Sequence, residues 1–141
     1  MDMRIRLRGG TKVDAEFGGF TLRTDQPAKL GGEDSAPSPF DVFLASIGMC
    51  AGYFVQQYCQ TRKLSTEGVE IVQSMDWNHE KHLVTKIRLD IQVPESFPEQ
   101  YRASLVSAVN LCTVKKHLQQ PHSIEAATRV VTASSSPEAA A

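Results

Sequence analysis

The stretch from Ser38 to about Lys63 constrains this chain more than any other, because it reads as a long helix with apolar residues around most of its circumference. Ser38-Pro39-Phe40-Asp41 marks its start. Ser38 is placed to cap, Pro39 takes the first helical position, where an N–H has no partner anyway, and Asp41 stands three past the cap in capping-box position. Phe43, Ile47, Cys50, Phe54 and Tyr58 recur at three- and four-residue spacing, with Phe40, Leu44, Ala51 and Val55 flanking them. An apolar arc that wide needs more cover than the few strands of one subunit provide, so the pattern predicts a homodimer that buries the helix between two sheets. Cys50 lies within the arc. Cys59, nine residues on at about 100° each, falls on the opposite face; the two cannot meet within one helix, and Cys59 is assigned to packing or a half-exposed surface.

The rest of the chain supplies strands and a second helical region. Met3 to Arg8, Lys12 to Phe17 and Phe20 to Thr24 alternate in polarity and are separated by Gly-Gly pairs, which predicts a β-meander. Asp25 to Pro37 is a loop of about a dozen residues rich in Pro, Gly, Ser and acids, long enough to invite a functional role. Val69 to Trp77 and Leu83 to Val93 alternate again and predict a long hairpin with Asn78 to His82 at its tip. Ser96-Phe97-Pro98-Glu99 reads as another capping-box start, followed by an inward face of Tyr101, Leu105, Ala108, Val109 and Cys112. Val114 to Leu118 is a further helical turn stopped by Pro121, and Ile124 to Thr132 a last strand. This order is segregated rather than alternating, so the fold class is α+β with mainly antiparallel sheets. At 141 residues the chain makes one domain, 1–132, with a disordered tail, 133–141.

Charge narrows the partners. A net charge of −1 and a pI near 6.4 give no electrostatic bias toward nucleic acid or anionic membranes. Met1 to Arg8 has no apolar run that could serve as a signal peptide or membrane span, so a cytoplasmic protein is expected. In that reducing compartment three cysteines point to transient chemistry rather than a structural framework.

Cys50 and Cys112 are therefore the residues to weigh. A reactive cysteine works as its thiolate, and burial in an apolar helix face opposes ionisation, so Cys50 needs a cation against it. Cys112 precedes a helical turn whose free N–H groups favour an anion; it also completes the Tyr101, Leu105, Ala108 stripe as a small hydrophobe. Lys115, Lys116 and His117 read most simply as a solvated helix end. His79 and His82 occupy a polar hairpin tip with no cysteine motif beside them, and no metal site is assigned. Glu33 and Asp34 lie in the loop before the helix, where a solvated charge is the simplest reading.

The run Pro37-Ser38-Pro39-Phe40-Asp41-Val42-Phe43-Leu44-Ala45-Ser46-Ile47-Gly48-Met49-Cys50 resembles the first-cysteine motif of the OsmC/Ohr family, the osmotically inducible and organic-hydroperoxide resistance proteins. Leu111-Cys112-Thr113-Val114-Lys115-Lys116-His117-Leu118 resembles its second, and the likeness extends from about Lys12 to Thr128. The resemblance implies an intertwined homodimer with thiol sites at the subunit interface, in which Cys50 attacks an organic hydroperoxide and Cys112 resolves the sulfenic acid. It implies no bound cofactor, only an external dithiol or lipoylated-protein reductant. Two departures set this chain nearer the broader OsmC-like branch than the typical hydroperoxidases: Phe40 stands where those carry a Glu, with Asp41 about 100° further round, and their N-terminal Arg has no clear counterpart. Arg8, Lys12 and Arg23 are the thiolate- and peroxide-stabilising candidates, and Glu33, Phe40 and Asp41 the cleft candidates. The rival reading is an OsmC-like dimer that binds a small apolar ligand in its interface cleft without turning it over; a third is a dimer whose cleft is closed.

Overall fold

Three strands open the chain in the computed structural model, which describes residues 1–131. β1 (Arg4–Leu7), β2 (Val13–Phe17) and β3 (Phe20–Thr24) form an antiparallel meander in that order. Gly18 and Gly19 both have positive φ, 54° and 82°, which a two-residue hairpin between Phe17 and Phe20 requires and side-chain-bearing residues resist. Arg6 on β1 and Arg8 just past its end pair with Glu16 and Asp14 on β2 at 3.0–3.2 Å.

α1 (Pro39–Thr61) begins as its sequence predicts. The Asp41 N–H donates to Ser38 Oγ, and the Ser38 N–H and Oγ–H both donate to the Asp41 carboxylate. Its buried face is turned from the predicted one. Leu44, Ile47, Ala51, Val55, Tyr58 and Cys59 face inward, while Phe40 and Phe43 are exposed and Cys50 is half-buried at the edge of the stripe. A helix that is apolar all round does not declare which arc meets its neighbours; contacts from elsewhere in the chain decide it. By length and composition α1 could cross a membrane, but its inward face forms part of a packed core.

β4 (Glu70–Asn78) and β5 (Leu83–Gln92) make the long hairpin, with a bulge at Asp76 and Trp77. Ile71 pairs with Ile91 and Gln73 with Leu89 on the face turned to α1, while Arg88 clamps Asp76 on the other with both guanidinium nitrogens. After a 3-10 turn at Glu99–Tyr101 come α2 (Arg102–Val109) and α3 (Thr113–Gln119). Ser96 does not cap: Pro98 and Tyr101 precede the two turns, neither with a side-chain cap. The core gathers Ala51, Val55, Tyr58 and Cys59 of α1 with Phe97, Leu105 and Val109, and the inner face of the hairpin covers it.

The antiparallel α+β architecture agrees with the sequence reading, but the predicted last strand is absent among the described residues. From residue 121 to 131 the chain has no regular structure, and Ile124 and Val130 are 88% and 96% exposed. A strand needs an edge to pair with, and neither sheet of this chain meets that segment. Thr132 and the tail 133–141 lie outside the described residues.

Candidate functional site

Cys50 and Cys112 converge. Cys50 projects from the middle of α1, and Cys112 forms the N-cap of α3, which packs against α1. The thiols come within hydrogen-bonding reach, with both cysteines free. Cys112 Sγ accepts the Lys115 N–H at 3.4 Å, the bond a Ser or Asp would make as an N-cap.

The two sulfurs are electrostatically unlike. Burial pushes the Cys50 thiol up, but donation from the Cys112 thiol and from the backbone N–H groups of Val114 and Thr113 outweighs it and leaves Cys50 below its ordinary value. Burial pushes Cys112 up, and its hydrogen bond to Cys50 and proximity to that sulfur's charge push it further, against the pull of the Lys115 and Val114 N–H groups. Of the two, Cys50 is therefore the sulfur that gives up its proton first, and Cys112 the one that keeps its S–H. The sequence reading credited the free N–H groups of this turn to Cys112. Those of Lys115 and Val114 do act on it, and those of Thr113 and Val114 act on Cys50 as well, because α3 points its first turn at α1.

Cys59 is a different kind of cysteine. It is fully buried among the core side chains, and burial pushes its thiol up against a weaker opposing pull from Arg62. It packs as a small hydrophobe.

The basic candidates are engaged elsewhere in the chain. Arg8 holds Asp14 and Glu16, Lys12 holds Glu33 at 2.6 Å, and Arg23 sits on β3 opposite Asp14. None is among the groups acting on Cys50. Of the cleft candidates, Glu33 is exposed and tied to Lys12, and Asp41 is held by the cap. Phe40 is 44% exposed, stacked on Phe43 and edge-on to Trp77. Phe40 lies ten residues before Cys50, about 15 Å along the helix.

Cys112 lines a cavity of about 310 Å³. Ile47, Ile87, Leu89, Ile91 and Val109 wall it with aliphatic carbon, and Asn110 and Lys115 supply polar groups. A second, more open groove of about 580 Å³ runs between α1 and β4 over Gly48 and Gly52. There Gln73 donates to the Leu44 carbonyl at 2.9 Å, while its buried Oε1 has no partner among the described residues. Gly48 makes room for it: a Cβ there would stand 2.7 Å from that oxygen.

Sequence reasoning did not single out Asp25. This fully buried carboxylate accepts bonds from Thr11 and Ser35 hydroxyls and from the N–H groups of Gln26, Glu33 and Ser35, at 2.5–3.2 Å. Those bonds, the Ser35 and Thr11 hydroxyls foremost, hold it far below the usual carboxylate range against the cost of burial. It organises the whole 25–37 loop. An Asp at a strand end before a loop rich in Gly and Ser was the available signal.

The OsmC-like protein family model matches residues 32–127, a span containing both Cys50 and Cys112. No curated protein matches the chain by sequence. Among solved structures, a Psychrobacter arcticus 273-4 protein named for osmotic stress induction and a detoxification response superposes with a TM-score of 0.70 at 16% identity, over 81% of this chain and 85% of that one. The Legionella pneumophila organic hydroperoxide resistance protein OsmC gives 0.53 at 19% identity, covering 84% and 90%. A Vibrio cholerae O1 protein named for organic hydroperoxide resistance, with captopril in one of its active sites, gives 0.54 at 15% identity, covering 86% of each chain.

Proposed function

The chain belongs to the OsmC-like protein family, and from that premise we propose that it is a homodimeric thiol peroxidase that reduces organic hydroperoxides. The observation that carries this reading is the meeting of Cys50 and Cys112, one sulfur favoured as thiolate and the other as thiol. The similarity in fold to proteins named for organic hydroperoxide resistance supports it.

In this mechanism the Cys50 thiolate attacks the terminal oxygen of the hydroperoxide. An S–O bond forms, the O–O bond breaks, and the departing alkoxide takes a proton to leave as an alcohol. Cys50 is now a sulfenic acid. The Cys112 sulfur attacks it; the S–S bond forms as the S–O bond breaks, and the departing hydroxide takes the Cys112 proton and leaves as water. An external dithiol, free or carried on a lipoylated protein, then supplies two electrons and two protons, restores both thiols and is itself oxidised to a disulfide. N–H groups of α3 do for the thiolate part of what a cation would do, while the elements of a second subunit provide the remaining walls of the site. The exposed Met49 and Tyr53 on α1 and the groove over Gly48 supply apolar surface for that subunit to cover. A cytoplasmic setting suits thiols that must cycle.

The test is turnover of an organic hydroperoxide with a dithiol reductant. Cys50→Ser should abolish it, and Cys112→Ser should accumulate a sulfenic acid that dimedone traps at Cys50. Unaltered turnover in both variants would end the reading. One feature favours the alternative of a non-catalytic, ligand-binding dimer: Phe40, where the hydroperoxidases carry an acid, is packed on Phe43 and Trp77. On that alternative Cys50→Ser leaves ligand binding intact and no variant turns over peroxide.

A further inference from the structure

The two sulfurs do a second job: they cap α3. A helix leaves its first N–H groups without partners inside itself, and in α3 those of Thr113, Val114 and Lys115 all turn to the cysteines. Cys50 takes the N–H groups of Thr113 and Val114. Cys112, the N-cap residue, takes those of Val114 and Lys115, the latter at 3.4 Å.

Little else seats this helix. α3 has seven residues, fewer than the dozen or so a helix needs to persist alone in water, and none of them is buried. Its side-chain hydrogen bonds, Lys115 Nζ to Asn110 and His117 Nδ1 to the Thr113 carbonyl, are both exposed. Beneath it Lys115 and Leu118 face the cavity of about 310 Å³ instead of packed side chains, with Ile47 and Leu89 on the far wall. Leu118 is 47% exposed. The cap therefore carries a large share of what holds α3 in place.

A disulfide changes both acceptors at once. Two electrons and two protons leave the thiols and the S–S bond forms, so neither sulfur can bear a negative charge toward the N–H groups, and a neutral sulfur accepts only weakly. The sulfurs must also close to about 2 Å from each other, which turns the Cys112 side chain from its cap toward α1.

We propose that the sulfur pair is a redox-gated helix cap: as a dithiol it seats α3, and as a disulfide it releases the first turn of α3 and opens the wall of the chamber beside Cys112. Its place in a catalytic cycle rests on the thiol-peroxidase reading, in which a hydroperoxide is the oxidant. An opened wall is what the last step of that cycle needs, because Cys112 is 1% exposed in the dithiol state and an incoming dithiol must reach the disulfide.

The experiment compares amide exchange in the full chain, reduced and after oxidation with diamide, which takes up two electrons and two protons to become a hydrazine. Mass spectrometry first verifies the Cys50–Cys112 bond. Amides from Lys115 to Leu118 should then exchange about 5- to 10-fold faster in the oxidised chain, the value of one lost cap, while those of β4 and β5 keep their rates. A disulfide that acted only as a cross-link would slow α3. Slower or unchanged exchange overturns the proposal without any variant, and so does failure of diamide to join the sulfurs. In Cys50→Ser diamide should leave α3 unmoved; a rise there overturns the proposal too, since the oxidant would be acting outside the pair. Reduced Cys112→Ala should mimic oxidation, whereas Cys112→Ser, which keeps an acceptor at the N-cap, should stay within about twofold of the wild type. Equal rates in the two variants would strike out the cap. Absence of hydroperoxide turnover alongside a responsive α3 counts against the peroxidase alone; turnover with an unresponsive α3 counts against the gate alone.

Discussion

The Asp25 carboxylate and the Cys50 thiol are both taken out of bulk water, and both are compensated by donors from the same chemical set, backbone N–H groups plus a side-chain O–H or S–H. The outcomes differ because the arithmetic of donors differs. Asp25 has five donors for a group that ionises readily, so its carboxyl is held far below the usual carboxylate range. Cys50 has two N–H groups and one thiol for a group that ionises with difficulty, which lowers it without committing it. A structural anion is made by over-satisfying an acid. A reactive one is made by leaving it a choice.

The strongest way to break this contrast is to remove the structural anion. Asp25→Ala leaves the N–H groups of Glu33 and Ser35 without their acceptor inside a loop that nothing else cross-braces so fully, and amide exchange at those two positions should quicken on the order of 100-fold as the loop opens locally. Gly32→Ala attacks the same loop from its backbone, because a Cβ there would stand 1.7 Å from the Gln26 carbonyl oxygen, which cannot move without breaking the turn. If exchange at Glu33 and Ser35 is unchanged in both, Asp25 is not the keystone described above.

Acid should expose the same residue. The folded Asp25 binds its proton less tightly than the unfolded chain does, so between the two values the unfolded state carries more protons and stability rises with pH. The contribution is complete above the unfolded value of about 4 and is lost progressively as pH falls below it. Urea midpoints taken from pH 6 down to pH 2 should therefore decline in the wild-type chain and decline less steeply in Asp25→Asn. Parallel slopes would remove Asp25 from the account.

How much of this was legible in the amino-acid sequence follows the range of the interactions. The cap of α1 was readable to the residue, since Ser38, Pro39 and Asp41 act within one turn, and the meander and the hairpin were readable from period-two alternation. The 180° separation of Cys50 and Cys59 was sound geometry, yet it could not say which of them the core would claim. Cys59 went inside because Leu44, Ala51 and Val55, rather than Phe43 and Phe54, meet the hairpin and α2. The partners of Asp25 come from β2's approach and from the far end of the loop, and the donors to Cys50 from the start of α3; such meetings depend on tertiary placement and leave no local periodicity. The last strand failed for the opposite reason. Ile124 to Val131 carries strand propensity without an edge in this chain to pair with.

The contrast can be sharpened at Cys50 by deleting one donor without disturbing the helix that bears it. Thr113 is the first residue of α3, a position where proline is well tolerated because its N–H makes no intrahelical bond, and Cys112 before it already has an extended backbone, φ −50° and ψ 122°. Thr113→Pro should therefore keep α3 and remove an N–H from the Cys50 sulfur. The titration of Cys50, followed by the pH dependence of its alkylation, should move upward, and labelling at neutral pH should slow roughly 3- to 10-fold. An unmoved titration would mean that the thiolate draws its help from Cys112 and the Val114 N–H, without Thr113.

The smallest expected effect is the control on the same helix. Cys59 is sealed among aliphatic and aromatic side chains with its thiol pushed up, so it should stay unlabelled by maleimide until the domain opens. Here the linkage has the other sign: the folded state holds this proton more tightly than the unfolded one, so the contribution of Cys59 is present below the unfolded value and is lost as pH rises above about 8.5. Cys59→Ala should cost on the order of 1 kcal/mol through the small void it leaves, measured by denaturant unfolding at neutral pH, and should change the alkylation rate of Cys50 by less than about twofold. A larger change at Cys50 would mean that the middle and the C-terminal turn of α1 are coupled through the core, and the reactive sulfur would then depend on packing as well as on the three donors that face it.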